Sequence, residues 1–185
     1  MIFSKETEDK FKHLVSIYPR KRSALIPMLL LAQKEQGYIT NEAVEYVANY
    51  LELSASEVDS ILSFYTLLRR KPVGKYHIMI CTNLSCLLMG SDEIEACVKR
   101  KLGINLGGVT PDGMFSAIEF ECLASCTTAP VMQVNGEFYE NLDVKKTEEI
   151  LDALRKQGGV GEPAGSKKVA DATYRSDPDG GPDAK

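Results

Sequence analysis

Apolar residues in the first 70 positions recur with the period of an α-helix. The pattern begins with four residues on one predicted helix face: Phe11, Leu14, Val15 and Tyr18. Because residues three or four apart share a face of a helix, this spacing predicts a first helix that ends at Pro19. A second helix is predicted from Ser23, with Pro27 in its first turn, where a missing N–H costs little, and with Gly37 as its stop.

Two further helices are predicted from their capping residues. Thr40 is a suitable cap for a third helix, whose inward positions are apolar: Val44, Val47, Ala48 and Leu51. Ser54 and Glu57 form the S-x-x-E pattern of a capping box, and a fourth set of apolar positions follows: Val58, Ile61, Leu62 and Tyr65. Four short helices this close together in sequence predict an N-terminal four-helix bundle over residues 1–70.

The second half of the chain has the composition of strands and helices in alternation. Four short runs are rich in β-branched and aromatic residues and predict strands: 76–80, 115–120, 131–134 and 137–139. The Asn135-Gly136 pair predicts a hairpin between the last two. Helices are predicted over 91–102 and after the capping residue Asp143. This order is an α+β or thioredoxin-like arrangement over residues 75–157.

Two stretches of the chain have neither pattern. The run RRKPVG at positions 69–74 separates the helical part from the first strand, and we interpret it as a linker between two domains. From Gly158 onward the chain is rich in Gly, Pro, Asp and Ser and has almost no apolar residue to bury. Residues 158–185 are therefore predicted to be a disordered tail.

Charge and composition argue against several classes of protein. The 185 residues carry 22 Lys and Arg against 26 Asp and Glu, a net charge of -4, whereas nucleic-acid-binding proteins usually present a basic face. The longest apolar run, residues 24–32, is far shorter than the roughly 20 residues of a membrane-spanning helix. The N-terminus has no signal-peptide pattern. We therefore expect a cytoplasmic protein with no nucleic-acid partner and no direct insertion into a membrane.

The five cysteines are the main candidate chemistry of the chain. In a reducing compartment, metal ligands, redox groups or core residues explain them better than disulfides do. Four of them form a C-x4-C pair and a C-x3-C pair, each after a predicted strand: Cys81, Cys86, Cys122 and Cys126. Loops on adjacent strands can turn four sulfurs toward one centre, and a [2Fe–2S] cluster needs four such ligands. We therefore predict one [2Fe–2S] cluster on these four cysteines.

Other uses of these residues are weaker explanations. Structural zinc sites more often have two-residue spacers, so a zinc-stabilised interaction module ranks second. The C-x-x-C motif of thiol exchange is absent. Cys97, His13 and His77 lie within predicted helices and a strand, and we interpret them as packed or surface residues. The chain has no glycine-rich nucleotide motif, so no NADH or flavin site is expected on it.

At these cysteines the chain resembles the NuoE family, the peripheral [2Fe–2S] ferredoxin subunit of respiratory complex I (NADH:quinone oxidoreductase). The resemblance covers roughly residues 6–155, and three stretches carry it: 18–40, 63–86 and 120–142. Its most specific feature is the C-x4-C pair followed about forty residues later by the C-x3-C pair. The same pattern occurs in diaphorase subunits of NAD-linked hydrogenases and formate dehydrogenases.

The resemblance implies a helical bundle followed by a thioredoxin-like domain that carries the cluster. It implies an electron-transfer subunit that exchanges electrons with the FMN of an NADH-binding partner subunit, in the peripheral arm of an inner-membrane complex. No catalysis is expected from the chain alone, and an equivalent diaphorase subunit is the alternative. The chain departs from the family pattern at Ser125, where Gly is common, and at Thr127-Thr128, in place of Val-Asn. These changes bear on the hydrogen bonds around the sulfurs.

Overall fold

The computed structural model describes residues 2–158, and every structural statement below concerns that part of the chain. Its α-helices are α1 Lys5–Ile17, α2 Leu25–Gln36, α3 Asn41–Leu51, α4 Ala55–Phe64, α5 Leu84–Leu88, α6 Ser91–Leu102 and α7 Val144–Gln157. Its strands are β1 Tyr76–Cys81, β2 Phe115–Phe120, β3 Met132–Val134 and β4 Glu137–Tyr139. Within these residues, no helix has the length and hydropathy needed to span a membrane. The predicted disordered tail, apart from Gly158, lies outside the described residues.

Helices α3 and α4 begin where their capping residues predict. The Thr40 hydroxyl accepts the Ala43 N–H at 3.1 Å at the start of α3. At the start of α4, the side chains of Ser54 and Glu57 each accept the other residue's backbone N–H, which completes the predicted capping box. Such caps stabilise a helix because its first N–H groups have no partner within the helix.

Helix α2 begins two residues later than the sequence predicts. Residues Lys21–Ala24 form a 3-10 turn, and the α-helix starts at Leu25. An α-helix from Ser23 would need the N–H of residue 27 to donate to the Ser23 carbonyl, and Pro27 has none. Pro27 therefore lies in the first turn of α2, and Gly37, with a φ of 83°, ends the helix as predicted.

Helix α4 ends one residue before the predicted apolar face does. The pattern places Tyr65 inward, but α4 ends at Phe64, and Tyr65 is 41% exposed. The Tyr65 N–H still donates to the Ile61 carbonyl at 3.0 Å and closes the last turn. Its ring packs edge to face against Phe64, with ring centroids 5.2 Å apart, so both rings stay at the surface.

Helices α1 to α4 share one hydrophobic core. Its buried members come from all four helices and include Phe11, Met28, Leu29, Val44, Val47, Leu51, Val58 and Leu62. Each fully buried side chain of this size contributes roughly 1.5–3 kcal/mol relative to an exposed one. Helices this short are marginal alone in water, so their stability comes from this shared core.

The four strands form one sheet in the order β2-β1-β3-β4. β1 and β2 are parallel, with Cys81 opposite Phe120 at their ends. β3 is antiparallel to both β1 and β4. A parallel pair needs a crossover connection, and here the crossover contains α5 and α6. The predicted Asn135-Gly136 turn joins β3 to β4, and both residues have positive φ, 51° and 94°.

The central strand β1 packs against a different cluster on each face of the sheet. Ile78 and Ile80 belong to the larger core, to which α6 and α7 also contribute. Met79 and Cys81 belong to a smaller cluster. Because successive side chains in a strand point to opposite faces, this smaller cluster lies across the sheet from the main core. The alternation along β1 therefore places Cys81 on the face that α6 and α7 leave open.

Helix α5 is the main departure from the predicted elements. The sequence predicts a loop from Cys81 to Cys86, but residues Leu84–Leu88 form a short helix. Asn83 begins it, since its side-chain oxygen accepts the Leu84 N–H at 2.9 Å. Five residues are too few for helical periodicity to be visible in a sequence, which is why the helix was not predicted.

The side chain of Gln33 ties α2 to the segment that follows α4. Gln33 is 8% exposed. Its Nε2 donates to the Leu67 carbonyl at 3.0 Å, and its Oε1 accepts the Arg69 N–H at 2.6 Å. The Arg69 carbonyl in turn accepts the Ile39 N–H at 2.7 Å. These bonds give the main chain of a non-helical segment the partners it loses on leaving water.

We expect Gln33→Met to lower the free energy of unfolding by roughly 1–3 kcal/mol, because two main-chain groups lose their partners. Gln36→Met is the matched control on the same helix: the Gln36 Oε1 is buried with no hydrogen-bond partner among the described residues, and its Nε2 makes one long bond, 3.4 Å, to the Ile2 carbonyl. Replacing this amide should change stability less than replacing that of Gln33. Urea unfolding of both variants measures the difference, and equal losses would show that the Gln33 bonds add nothing specific.

His77 is a buried histidine in β1. It is 6% exposed, and its Nδ1 lies 2.8 Å from the Ser116 hydroxyl, which also accepts the Gly74 N–H at 3.0 Å. Burial, and to a lesser degree the charge of Arg69, lowers the pKa of His77 to about 4. The imidazole is therefore neutral in the folded protein at neutral pH, as expected for a packed residue.

This pKa makes stability depend on pH. The unfolded chain protonates His77 below about pH 6.5, and the folded protein does so only near pH 4. The unfolded state binds more protons between these values, so stability falls as the pH falls. We expect the wild type to lose roughly 2–3 kcal/mol more than His77→Gln between about pH 6.5 and 4.5. Guanidinium unfolding across this range measures the loss.

His13→Gln is the control for that experiment, because His13 lies exposed on α1. This variant should keep the pH dependence of the wild type. Three parallel stability profiles would contradict the assignment of the pH dependence to His77.

Candidate metal centre

Four cysteines lie at or just beyond the C-terminal ends of the parallel strands β1 and β2. Cys81 is the last residue of β1, and Cys86 lies in α5. Cys122 follows the end of β2, and Cys126 begins a 3-10 turn. Because β1 and β2 are parallel neighbours, the two cysteine-bearing segments leave the sheet at the same end. The structure thus brings together the four cysteines that the sequence singles out, although Cys86 lies in a helix and not in the predicted loop.

The two pairs differ in their exposure to solvent. Cys81 and Cys86, the inner pair, are 3% and 2% exposed. They lie in the smaller cluster with Met79, Leu123, Ala129 and Val131. Cys122 and Cys126, the outer pair, are exposed. All four are free thiols, so their sulfurs are available as ligands.

Backbone N–H groups surround the sulfur of Cys81. Burial raises the pKa of the Cys81 thiol, but N–H groups of Leu123 and Asn83 donate to the sulfur and lower it. The neighbouring thiols of Cys86 and Cys122 act in the same direction, and the net result is a pKa below the ordinary value. Hydrogen bonds to sulfur favour the thiolate, which is the form that binds metals.

Cys86 shows the opposite shift. Burial, and then its contact with Cys81, raises the pKa of the Cys86 thiol to about 11, while a hydrogen bond from the Val131 N–H opposes the rise. The charge of Cys126 makes a smaller contribution in the same direction as burial and raises the pKa of Cys86. A metal that binds Cys86 must therefore displace a proton.

The loop of the outer pair has an unusual backbone. Ala124 has a φ of 60°, in the left-handed region that non-glycine residues seldom adopt, and its N–H donates to the Cys122 sulfur at 3.3 Å. The Ala129–Pro130 peptide bond is cis. The left-handed conformation at Ala124 thus accompanies a backbone hydrogen bond to the Cys122 sulfur. Backbone N–H groups commonly donate to the sulfurs around iron–sulfur clusters.

Two hydroxyls of the same loop bond to a carboxylate. Ser125 Oγ donates to Glu140 Oε1 at 2.5 Å, and Thr128 Oγ1 donates to the same oxygen at 2.8 Å. The bond from Ser125, followed by that from Thr128, lowers the pKa of Glu140, so the side chain is a carboxylate at neutral pH. Both hydroxyls stand at positions where the sequence departs from the family pattern. Sequence reasoning missed Glu140, because nothing in its local pattern distinguishes it from other surface carboxylates.

Apolar side chains remain exposed beside the inner pair. Four of them, on and just after α5, are between 52% and 76% exposed and are named here the α5 patch: Leu84, Leu87, Leu88 and Met89. An open depression of about 280 Å³ lies beside the outer pair and is lined by Leu123, Ala124, Ser125, Phe138 and Glu140. Contiguous exposed apolar side chains of this kind are typical of a surface that binds another protein.

The remaining cysteine and histidines lie elsewhere in the fold. Cys97 is fully buried in α6, and its sulfur lies 3.8 Å from the Val144 carbonyl of α7. His13 is exposed on α1, and His77 is buried in β1. These positions agree with their interpretation as packed or surface residues.

The four cysteines fit the requirements of a [2Fe–2S] cluster. Such clusters need thiolates, hydrogen bonds to the sulfurs and an environment that limits access of water, and the inner and outer pairs together offer all three. Among residues 2–158, no three His, Cys, Asp or Glu side chains converge as they would around a single metal ion. A two-iron cluster distributes its ligands over two metals, usually two to each.

Comparison with known proteins places most of the chain in one family. The family model described as thioredoxin-like [2Fe–2S] ferredoxin matches residues 11–155. A component of the NADH-quinone oxidoreductase of Rickettsia bellii (strain RML369-C), the subunit designated E, is 45% identical over 156 residues, which are 83% of this chain and 93% of the relative. The corresponding component of the oxidoreductase of Rhizobium meliloti (strain 1021), designated E 2, is 40% identical over 138 residues, 75% of this chain and 82% of the relative.

A solved structure has a similar fold. The air-oxidized NAD+-reducing [NiFe]-hydrogenase matches with a TM-score of 0.65 and 19% sequence identity. The match covers 72% of this chain and 23% of the hydrogenase chain. At this identity the likeness concerns the fold alone, and it agrees with the predicted α+β class.

Proposed function

The chain belongs to the thioredoxin-like [2Fe–2S] ferredoxin family, and from that premise we propose that it is the electron-transfer subunit of an NADH-quinone oxidoreductase. Its cluster is held by the inner and outer pairs, that is, by Cys81, Cys86, Cys122 and Cys126. The observation that carries this proposal is the meeting of two cysteine pairs at the shared end of two parallel strands. The two oxidoreductase components that this chain matches over most of their length support the parent complex.

The residues of the chain hold, shield and present the cluster. When bound, the [2Fe–2S] cluster supplies one-electron transfer without making or breaking a bond in the chain. The inner pair keeps its sulfurs out of water, and N–H groups donate to Cys81 and Cys122. The exposed outer pair brings the centre close to the surface, where a partner can approach it.

The partner is an NADH-binding flavoprotein subunit whose FMN exchanges electrons with the cluster. The α5 patch supports this assignment, because it leaves apolar surface uncovered next to Cys86. Electron transfer needs the two centres close together, and an apolar contact beside a ligand would bring a partner close. NADH and FMN stay on that subunit, and the pair lies in the peripheral arm of the membrane complex.

The chain divides into two units with separate tasks. We assign residues 1–70 to a helical bundle and residues 75–157 to the thioredoxin-like domain. Two separate hydrophobic cores support this division, one shared by α1 to α4 and one between the sheet, α6 and α7. The first unit contributes none of the four cysteines. We therefore assign it to docking within the complex and not to the cluster.

Anaerobically purified protein should contain about two irons and two sulfides per chain and show a spin-half EPR signal after dithionite reduction. Replacing any of the four proposed ligands by serine should lower the iron content or shift this signal, because thiolate is the softer ligand. Cys97→Ser is the matched control and should leave both unchanged. Colorimetric iron and sulfide analysis and low-temperature EPR measure the outcome.

Two results would contradict the assignment. Zinc without sulfide, in protein never exposed to air, would replace the electron-transfer function by the zinc-stabilised module. Loss of iron in Cys97→Ser, with full iron in one of the four proposed ligand variants, would leave the function standing but overturn the ligand set.

The α5 patch gives a separate prediction for the flavoprotein partner. Leu88→Asp should weaken binding to that subunit by about tenfold or more, because a charge would be buried against an apolar surface. Val109→Asp, at a side chain 41% exposed in the thioredoxin-like domain and outside the α5 patch, is the control for an added surface charge. Affinity is measured by titration of the purified flavoprotein, and an unchanged EPR signal shows that the cluster is intact. Equal affinities of both variants would place the contact elsewhere.

A further inference from the structure

The carboxylate of Glu140 accepts hydrogen bonds from residues on both sides of the proposed ligand Cys126 in sequence. Glu140 Oε1 accepts Ser125 Oγ at 2.5 Å and Thr128 Oγ1 at 2.8 Å. Ser125 immediately precedes Cys126, and Thr128 follows it by two residues. The two hydroxyls also lie 2.8 Å from each other, so the three side chains form a closed set of contacts around the turn that carries Cys126.

Glu140 is itself fixed to the rest of the domain. It follows directly after β4. Lys146 Nζ, from the first turn of α7, donates to the Glu140 carbonyl at 2.5 Å. The next residue, Asn141, donates its N–H to the Thr128 carbonyl at 2.7 Å. The Glu140 carboxylate therefore connects the loop that carries Cys126 to the end of β4 and, through Lys146, to α7.

We propose that Glu140 is a positioning residue of the metal centre, which fixes Cys126 through Ser125 and Thr128 and whose negative charge lowers the reduction potential of the cluster. The proposal rests on the proposed function, since it requires a cluster on the outer pair. Reduction adds an electron to the centre, and a fixed negative charge nearby makes that step less favourable. Positioning and charge are two separate effects of the same side chain.

Two substitutions separate these effects. Glu140→Gln removes the charge but keeps a carbonyl oxygen that can accept both hydroxyls. Glu140→Ala removes the charge and the acceptor together. Glu137→Gln is the matched control, because it removes an exposed carboxylate on the same hairpin, one that interacts with Tyr139 and does not line the depression beside the outer pair. Glu140 lines an open depression, so the shorter side chain requires no repacking of a core.

The full-length chain is purified without air, and its midpoint potential, its EPR line shape and the rate at which a chelator removes iron are measured. Both Glu140 variants should have a higher potential than Glu137→Gln. The EPR signal of Glu140→Gln should keep the wild-type shape, whereas that of Glu140→Ala should broaden. Iron loss should be about tenfold faster in Glu140→Ala, because two hydrogen bonds to a charged group are gone.

Hydrogen exchange in the iron-free chain gives a readout that needs no cluster. The Thr128 N–H, which donates to the Ser125 carbonyl at 3.2 Å, should exchange faster in Glu140→Ala than in the wild type, and Glu140→Gln should restore slow exchange. Wild-type exchange, iron loss and potential in Glu140→Ala would overturn the proposal. Wild-type protein without iron and sulfide would instead overturn the proposed function, while the exchange result would still decide whether Glu140 positions the loop.

Discussion

The burial of β1 on both faces is the constraint on which the rest of the domain depends. Its side chains alternate, so Ile78 and Ile80 must face one apolar cluster and Met79 and Cys81 another. A slip of one residue in its pairing would move the cysteine into the main core and leave isoleucines where it now lies. The register of β1 against β2 and β3 therefore decides where the first sulfur lies before any metal is considered.

The parallel pairing of β1 with β2 then decides where the second cysteine pair lies. Two parallel strands end on the same side of a sheet, so segments that are about forty residues apart in sequence meet there. The inner pair follows the more central strand and is buried, while the outer pair follows an edge strand and is exposed. The asymmetry of the site follows from the strand order, and it gives the four cysteines one buried side and one side exposed to solvent.

Features fixed by local chemistry could be predicted from the sequence, and features fixed by distant contacts could not. The Ser54 capping box, the stop at Gly37 and the Asn135-Gly136 hairpin each depend on a few neighbouring residues. The spacing within each cysteine pair is equally local, whereas the placement of both pairs at one end of the sheet depends on the pairing of β1 with β2. Helix α5 is too short to leave a periodic signal, and the hydrogen bonds that Glu140 accepts come from residues 12 and 15 positions away in sequence.

The two cysteine-bearing segments are held by different kinds of hydrogen bond. Next to the inner pair, the N–H groups of Cys81 and Thr82 donate to carbonyls of Val131 and Phe120 at 3.1 Å each, which continues the sheet and tolerates many side chains. The outer loop has backbone bonds as well, from the Thr128 N–H to Ser125 and from the Asn141 N–H to Thr128, but two of its side chains also bond to Glu140. A backbone bond survives most substitutions, whereas a side-chain bond is lost with one. Single substitutions can therefore alter the outer loop without disturbing the sheet, so with the proposed ligand set this loop is where a change in potential can be separated from a change in fold.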